Sequence, residues 1–473
     1  MPGKFFYRLM GIIIKQTVKG TIWLYLGVAI GFVTTFYLYT EYLTPEIVGL
    51  FGLLLSYSLL FAQFSSLGIN GVTGRLFPFF RDKRNGHNGY LFIAFAVIII
   101  GFFIFLLSYF FFSGKLIESN LEKSKLFADN IFYLIPLTFF ALLFSVLDIY
   151  NKLLYNTVLG TFLQDFLQRI LVFIVVVVFA LGLIDNQMLF LLFVIAVSIK
   201  GIYIFFYLLL KGEINLRPQL SFITKKLRKE MANVAIFSIL TGASGSLVFS
   251  IDKIIINQYM GLSSTGVYTI AFFFGTLVLI PSRPLLRISG TLIADAWKRD
   301  DKKYILDIYS RSCINQFIIA AFLFGGIWIN IDNIMVILGP DYAGAKWVIF
   351  FIGLANVIDM LTGANAQIIG YSKHYRVSLY FLLALIALVI ITMFVFIPIW
   401  GITGAAISIA ISIFLNNFMR YFYILIKFKM QPFSLKILLV PVVFAIAWFL
   451  SSMLVQLQLV PDILIRSIIF TII

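Results

Sequence analysis

Runs of about 20 mostly apolar residues recur along this chain, separated by short loops, and each is long enough to cross the hydrocarbon of a bilayer as a helix. They fall near 18–40, 46–72, 90–112, 131–154, 168–185, 187–210, 232–256 and 265–290, with a second series near 313–331, 345–370, 377–398, 401–426 and 434–456. A last run, Pro461 to Ile473, is too short to cross comfortably, so a fourteenth span is expected to be incomplete or tilted. Of the 473 residues 62% are hydrophobic and only 12% charged, about half the charge of a soluble domain. The chain is therefore expected to be an all-α integral membrane protein with 12–14 transmembrane helices.

The net charge of +16 does not point to nucleic acid, because the basic residues recur between apolar runs instead of gathering in one soluble region. Arg75, Arg81, Lys83 and Arg84 follow span two, and Lys211, Arg217, Lys225, Lys226, Arg228 and Lys229 follow span six. Lys298, Arg299, Lys302 and Lys303 follow span eight. On the other side, Lys115, Lys123 and Lys125 are matched by Glu118, Glu122 and Asp129. The positive-inside rule then puts the N-terminus and every even-numbered exit in the cytoplasm. Lys4, Arg8, Lys15 and Lys19 punctuate the first apolar residues, a pattern that reads as a basic amphipathic helix on the membrane surface.

The stretches PEIVGLFGLLLSYSLLF (45–61) and STGVYTIAFFFGTLVLI (264–280) open spans two and eight in the same way: a small polar lip, Gly, an apolar residue and an aromatic, then an apolar run. An offset of six spans preserves orientation, so the repeat is parallel and implies two six-helix lobes around a central cavity. The expected organisation is an N-terminal lobe over 1–210, including the amphipathic helix, and a cytoplasmic linker over 211–231. A C-terminal lobe follows over 232–426, with accessory spans over 427–473. Residues 261–265 are expected to form the outer hairpin of the second lobe, as 41–46 do in the first.

Four pieces carry a family resemblance: LTPEIVGLFGLL (43–54), IDKIIINQYMGLSSTGVYTIA (251–271), LGPDYAGAKWVIFFIGL (338–354) and IWGITGAAISIAIS (399–412). In this order and topology the chain resembles the polysaccharide-transporter branch of the multidrug/oligosaccharidyl-lipid/polysaccharide flippase superfamily. The resemblance implies a flippase in the bacterial inner membrane that moves O-antigen or capsule repeat units on an undecaprenyl-pyrophosphate type carrier to the outer leaflet. It also implies a monomer among membrane lipids with a polysaccharide polymerase as a partner. Lipid II flippases of the superfamily typically carry an arginine soon after the tyrosine–alanine piece of span eight. Here Phe272, Phe273 and Phe274 follow Ala271, which favours the exopolysaccharide branch.

Flipping breaks no bond, and no nucleophile–base arrangement or phosphate-binding glycine loop is evident, so the chain is expected to be a transporter, not an enzyme. One cysteine, Cys313, excludes an internal disulfide and a thiolate cage, and His87 and His374 lie in basic loops without ligand partners. No cofactor or metal is expected. Dragging an anionic, hydroxylated head group through hydrocarbon requires a wet path with fixed positive charge. Arg283 and Arg287, four residues apart and flanked by Pro281 and Pro284, suit a pyrophosphate clamp; if span eight ends near Pro281 they are cytoplasmic anchors instead. Arg75, Gln63, Asn70 and Asp359 are further candidates to line the cavity, each with an alternative role in snorkelling or interhelical bonding.

Asp252 and Lys253 are candidates for gating or ion coupling. Being adjacent, they are expected to point to different sides of a helix. Asp148 and Lys152 join them, although their spacing also suits a local ion pair at the cytoplasmic face, as does that of Asp165 and Arg169. With the cytoplasm negative, an outward-moving anion gains about 2.3 kcal/mol per charge for each 100 mV. Membrane potential is then sufficient as a driving force, and coupling to H+ or Na+ is permitted but not demanded. The rivals are a drug/cation antiporter of the same superfamily and a membrane glycan polymerase or ligase. The longest outer loop, 113–130, is short for the latter.

Overall fold

In a computed structural model the chain is all-helical among its described residues, which are 2–248, 250–453 and 458–472; of these, 2–15, 17, 220, 243–246 and 248 are described in backbone only. The basic side chains Lys4, Arg8 and Lys15 therefore lie outside the described set. Two compact units are formed by Met1–Ser250 and Ile251–Ile473. Among the described residues ten helices are long and apolar enough to cross a membrane, or eleven if one pair bent by 51° counts as a single span. The expected multi-pass all-α architecture is thus present.

The first unit comprises α1 (Pro2–Val33), α2 (Pro45–Ser65), α3 (Ile69–Phe80), α4 (Tyr90–Asn120), α5 (Leu134–Leu153), α6 (Gln168–Ala180), α7 (Asn186–Leu210) and α8 (Lys225–Val248). Local chemistry sets the ends. Thr44 caps α2, its hydroxyl accepting from the Ile47 N–H ahead of Pro45 at the first turn, and Asp185 caps α7 by accepting from the Met188 N–H at 2.8 Å. Phe77, Phe80, Tyr90 and Tyr150 fill a buried core with Leu147 and Leu208. The Tyr90 hydroxyl donates to Thr73 Oγ1 at 2.7 Å, so the polar end of the ring is satisfied.

The second unit comprises α9 (Ile251–Leu277), α10 (Ser282–Lys298), α11 (Lys302–Ile329), α12 (Ile331–Leu338), α13 (Ala345–Leu361), α14 (Asn365–Tyr371), α15 (Val377–Phe428), α16 (Leu439–Ser452) and α17 (Leu459–Ile472). Two of these are hairpins. α15 has 52 residues and reverses at Gly401 (φ 58°), after which Thr392 and Ser412 meet at 3.4 Å between their hydroxyl oxygens. α9 reverses at Gly261 (φ 81°), bringing the Tyr268 hydroxyl to Asp252 Oδ2 at 2.9 Å. The reversal is tighter than the 261–265 loop the sequence suggests. A glycine in the left-handed region closes the turn by itself. The polar residues after it enter the next helix, where the Thr265 hydroxyl donates to the Gly261 carbonyl at 2.9 Å.

The repeat extends beyond the sequence likeness. Span two is interrupted at 66–68, between α2 and α3, and span eight at 278–281, between α9 and α10. α8 packs across the first interruption, where the Gly71 N–H donates to Ser238 Oγ at 3.1 Å. α8 thus belongs to the first compact unit although it follows the long 211–224 connection.

That connection is latched. Glu213 accepts from Lys83 Nζ at 2.6 Å and faces His87 Nε2 at 3.4 Å, while its carbonyl accepts from the Tyr150 hydroxyl at 3.1 Å. Burial pushes the Glu213 carboxyl up, but the bonds and charges of Lys83 and His87 outweigh it and hold it below its usual range. A depressed folded-state value means stability that is present above the unfolded value and lost as pH falls through the folded one.

Two predictions follow from these contacts. Gly261→Ala is expected to cost about 1–3 kcal/mol, because it forces a side chain into the left-handed region, and thermal unfolding in detergent measures it. Glu213→Gln is expected to cost about 1 kcal/mol at neutral pH. Its difference from wild type should begin to shrink as pH falls below the ordinary glutamate value of about 4.3 and be gone once the folded carboxyl is protonated, as read from the melting temperature across a pH series.

Candidate functional site

The two interrupted spans, which correspond in the repeat, both carry arginine on the second leg. Arg75 stands exposed on α3, and Arg283 and Arg287 stand exposed on α10, whose Ser282, Gly290, Ile293 and Ala296 are buried. The four-residue spacing puts the two α10 guanidiniums on one helix face. At 1.5 Å per residue they lie ~22 and ~17 Å along the helix from Lys298. They are thus set apart from the basic cluster that closes the span. The positive end of the α10 dipole adds to their field. Among the described residues none of the three arginines forms an ion pair.

The other candidates in span two have helix neighbours. Asn70 Nδ2 donates to Ser145 Oγ on α5 at 3.4 Å, and its buried Oδ1 has no hydrogen-bond partner. Gln63 is half-buried against Gly242 of α8.

Asp359 sits at the end of α13, just before the bend into α14. Asn417 on α15 donates to Asp359 Oδ1 at 2.8 Å and accepts from Thr362 (3.1 Å) and Asn365 (2.9 Å). The bend itself is held by the Ala364 N–H donating to Ser312 Oγ at 3.1 Å. Arg420, one turn beyond Asn417, lies within electrostatic reach of Asp359, and among the described residues Asp359 forms no ion pair with Arg283 or Arg287. α10 does reach this bend, because its Gly290 packs on Gln367 and Tyr371, and Trp297 Nε1 donates to the Ile368 carbonyl at 3.1 Å. A carboxylate, a guanidinium and three amide or hydroxyl side chains therefore gather beside the arginine-bearing helix.

Asp252 is fully buried inside the α9 hairpin. Besides the Tyr268 hydroxyl it takes the Lys253 N–H at 2.8 Å, and Lys253 Nζ curls back to 4.0 Å from Oδ1 and 5.0 Å from the centroid of the Phe272 ring. The sequence reading had this pair pointing apart. The long lysine side chain instead folds over the buried carboxylate, as a charge in an apolar hairpin requires.

Asp148 and Lys152 on α5 form the expected ion pair, with Asp148 buried and Lys152 exposed. The second oxygen of Asp148 is buried against Gly160 without a hydrogen-bond partner. Its surroundings include Lys200 of α7, which is 7% exposed and stands 5.1 Å from the centroid of the Phe144 ring, within the electrostatic reach of Asp165 and Asp148. Arg169 donates to the Gly27 carbonyl of α1 at 2.9 Å. Among the described residues no three His, Cys, Asp or Glu side chains converge as metal ligands.

With this geometry established, comparison with known proteins is informative. The polysaccharide biosynthesis protein family matches residues 17–289, more than half of the chain. The chain belongs to this family. No curated protein sequence matches it. Its fold is similar to a lipid II flippase MurJ in an inward closed conformation, with 14% identity, TM-score 0.76, and 96% of this chain and 97% of that one covered. It is also similar to a multidrug resistance MATE family transporter of the MOP superfamily in an inward-facing conformation, with 13% identity, TM-score 0.60, and coverage of 86% and 92%. A MATE structure in a bent conformation matches at 14% identity and TM-score 0.53, with coverage of 92% and 96%. At these identities the likeness is one of fold. It places this family member among multi-pass membrane proteins built like superfamily transporters.

Sequence reasoning singled out Asp359 but missed Asn417, Arg420 and Lys200. Arg420 lies toward the end of the apolar run 401–426, where it looks like one more terminal anchor. Lys200 was hidden by the strongly apolar run around it, although a charge at that depth is itself the signal. Asp359→Asn and Arg420→Gln are each expected to lower stability by about 1–3 kcal/mol. The double variant should lose less than the sum by about 1 kcal/mol or more. Thermal unfolding of all four proteins completes the cycle.

Proposed function

We propose that this chain is a flippase that moves polyprenyl-pyrophosphate-linked oligosaccharide repeat units from the cytoplasmic to the outer leaflet of a bacterial inner membrane. The observation that carries the proposal is the pair of exposed arginines on the second leg of α10, clear of the basic cluster at its end. Two guanidiniums on one face present paired N–H forks to the oxygens of a pyrophosphate, a geometry that ammonium groups do not offer. Family membership supports a polysaccharide precursor as cargo, and the similar fold of a protein described as a lipid II flippase supports a lipid-linked one.

The lipid tail has a matching surface. An apolar cavity of about 500 Å3 in the second unit is lined by Ile318, Phe322, Val440, Phe444 and Phe470, with one charge, Lys436, in its described lining. An isoprenoid chain gains about 25 cal/mol for each Å2 it buries there only when the alternative is water, not lipid. Its role is therefore to guide the tail, while the head group sets specificity. Alternating access then moves the head group without breaking a bond. The membrane potential supplies about 2.3 kcal/mol per negative charge for each 100 mV, so a doubly charged head group needs no ATP.

The drug/cation antiporter reading also fits the fold, with a lower TM-score of 0.60 against 0.76. It fits the side chains less well, since Asp359 is engaged by Asn417 and lies in the field of Arg420. A cationic drug requires a carboxylate with charge to spare. A polymerase or ligase requires catalytic groups, and the polar clusters described above serve as bend and pair contacts.

The test is transport in proteoliposomes loaded with a fluorescent polyprenyl-pyrophosphate oligosaccharide. Arg283→Gln with Arg287→Gln is expected to slow flipping by tenfold or more, the effect of losing about 1.4 kcal/mol of head-group binding. Drug efflux should be absent from wild type. Unchanged flipping in the double variant removes the clamp, and drug-driven counter-transport by wild type favours the antiporter.

A further inference from the structure

At the end of the second unit opposite its basic loops lies a cavity of about 430 Å3 with a polar lining unusual for a bundle of apolar helices. It is walled by the end of α11, by α12 and the start of α13, and by the facing ends of α16 and α17. Four charges line it. Lys346 Nζ bonds Asp332 Oδ1 at 2.6 Å, and Arg466 Nε bonds Asp462 Oδ2 at 2.7 Å. Asn333 Nδ2 also donates to Asp462 Oδ2 at 2.6 Å, and Arg466 Nη1 donates to the Ser451 carbonyl at 3.2 Å.

Two carboxylates and two cations cancel, so the cavity concentrates ions of neither sign. It offers instead donors and acceptors side by side: a guanidinium has five N–H groups and a carboxylate about four lone-pair sites. A sugar hydroxyl both donates and accepts, and vicinal hydroxyls need this alternation. The walls supply the other half of sugar chemistry. Trp448 is 41% exposed and stacks on no other ring among the described residues. Trp328 is held by Phe350 at 4.6 Å and by Trp347 at 5.8 Å between ring centroids. The polarised C–H face of a pyranose is attracted to the negative face of an indole. The volume lies within the range of small-molecule sites. Interfacial anchors would place their polar ends outward, whereas Asp462 and Asn333 are 2% and 6% exposed.

We propose that this cavity is a carbohydrate subsite that holds one neutral pyranose of a glycan, with Trp448 against the ring face and Asp332, Asn333, Lys346 and Arg466 bonding its hydroxyls. Its role rests on the flippase reading, in which it receives the glycan of the lipid-linked cargo on the far side of the membrane. The binding itself does not depend on that reading.

The test uses the full chain in lipid nanodiscs and saturation-transfer NMR with methyl glycosides of glucose, galactose, N-acetylglucosamine and rhamnose as probes. At least one glycoside is expected to bind, with affinity reduced roughly tenfold in Trp448→Leu, the usual scale of losing a stacked tryptophan. Trp400→Leu, at an exposed tryptophan of the same unit outside the lining, should bind as wild type. Lys346→Gln gives a second reading if Trp448→Leu folds poorly, and it too should weaken binding. The proposal is overturned if wild type binds no glycoside, if neither lining variant weakens binding, or if inorganic pyrophosphate competes for the site. A chain that flips its cargo but binds no glycoside overturns the subsite alone. One that binds glycosides through Trp448 but does not flip overturns the flippase reading alone.

Discussion

Inside a bilayer a helix cannot simply stop, because no water is present to take up the backbone groups that an interruption releases. Three interruptions in this chain are accordingly met by a specific polar contact. Ser238 takes the Gly71 N–H beyond the break in span two, and Ser312 takes the Ala364 N–H at the bend of span ten. Asn356 donates to the Gly275 carbonyl at 2.8 Å just before span eight breaks. These contacts fix where a neighbouring helix must pass, and they import hydroxyls, amides and charges to depths an unbroken apolar helix would keep dry. The arginines of α3 and α10 follow directly after two such breaks, and Asp359 directly precedes a third.

This placement decides what the charges can do. In an unbroken span a guanidinium must snorkel to the nearest interface, where water screens it and an ion pair there is worth under about 1 kcal/mol. Beyond a break the helix restarts with its own dipole, whose positive end adds to the field of a nearby guanidinium. On the proposed flippase reading that field attracts an anionic head group. The same field would be costly were the arginines not reachable by solvent or cargo, and all three are exposed. The carboxylates are treated in the opposite way. Asp252, Asp148 and Asp462 are buried and each is met by a neighbouring cation or donor. On the second legs α3 and α10 the exposed charge is net positive, Arg75, Arg283, Arg287 and Lys298 standing against Asp295.

Much of the fold was legible in the sequence because hydrophobic length and loop charge act residue by residue. The separate runs 377–398 and 401–426 needed no tertiary knowledge, and the likeness of 45–61 to 264–280 announced a parallel repeat. Interruptions were harder. Nothing in Ser66-Leu67-Gly68 distinguishes a break from a small-residue packing patch until Ser238, 167 residues from Gly71, is seen to seal it. For the same reason span eight was drawn to 290 when its second leg continues to Lys298. Asp359 was visible as an acid within an apolar run, but its partners Asn417 and Arg420 come from a helix two spans later. Lys253 failed for a different reason. Adjacent residues on a helix do point apart at Cβ, yet a four-carbon stem is long enough to return.

Affinity alone would not make such an arrangement work. A carrier that holds its cargo equally well at every stage lowers no barrier, so charge that attracts the head group has to be matched by features that let it go. The second unit supplies both kinds within its own helices. Arg283 and Arg287 are uncompensated among the described residues, whereas the cavity beneath Trp448 carries as many carboxylates as cations. On the proposed flippase reading a pyrophosphate is attracted at the former, and on the proposed subsite a neutral sugar finds complementary hydrogen bonds at the latter. The charged and polyhydroxylated ends of such a cargo would then meet different chemistry on different helices. Neither contact has to be strong enough to trap it.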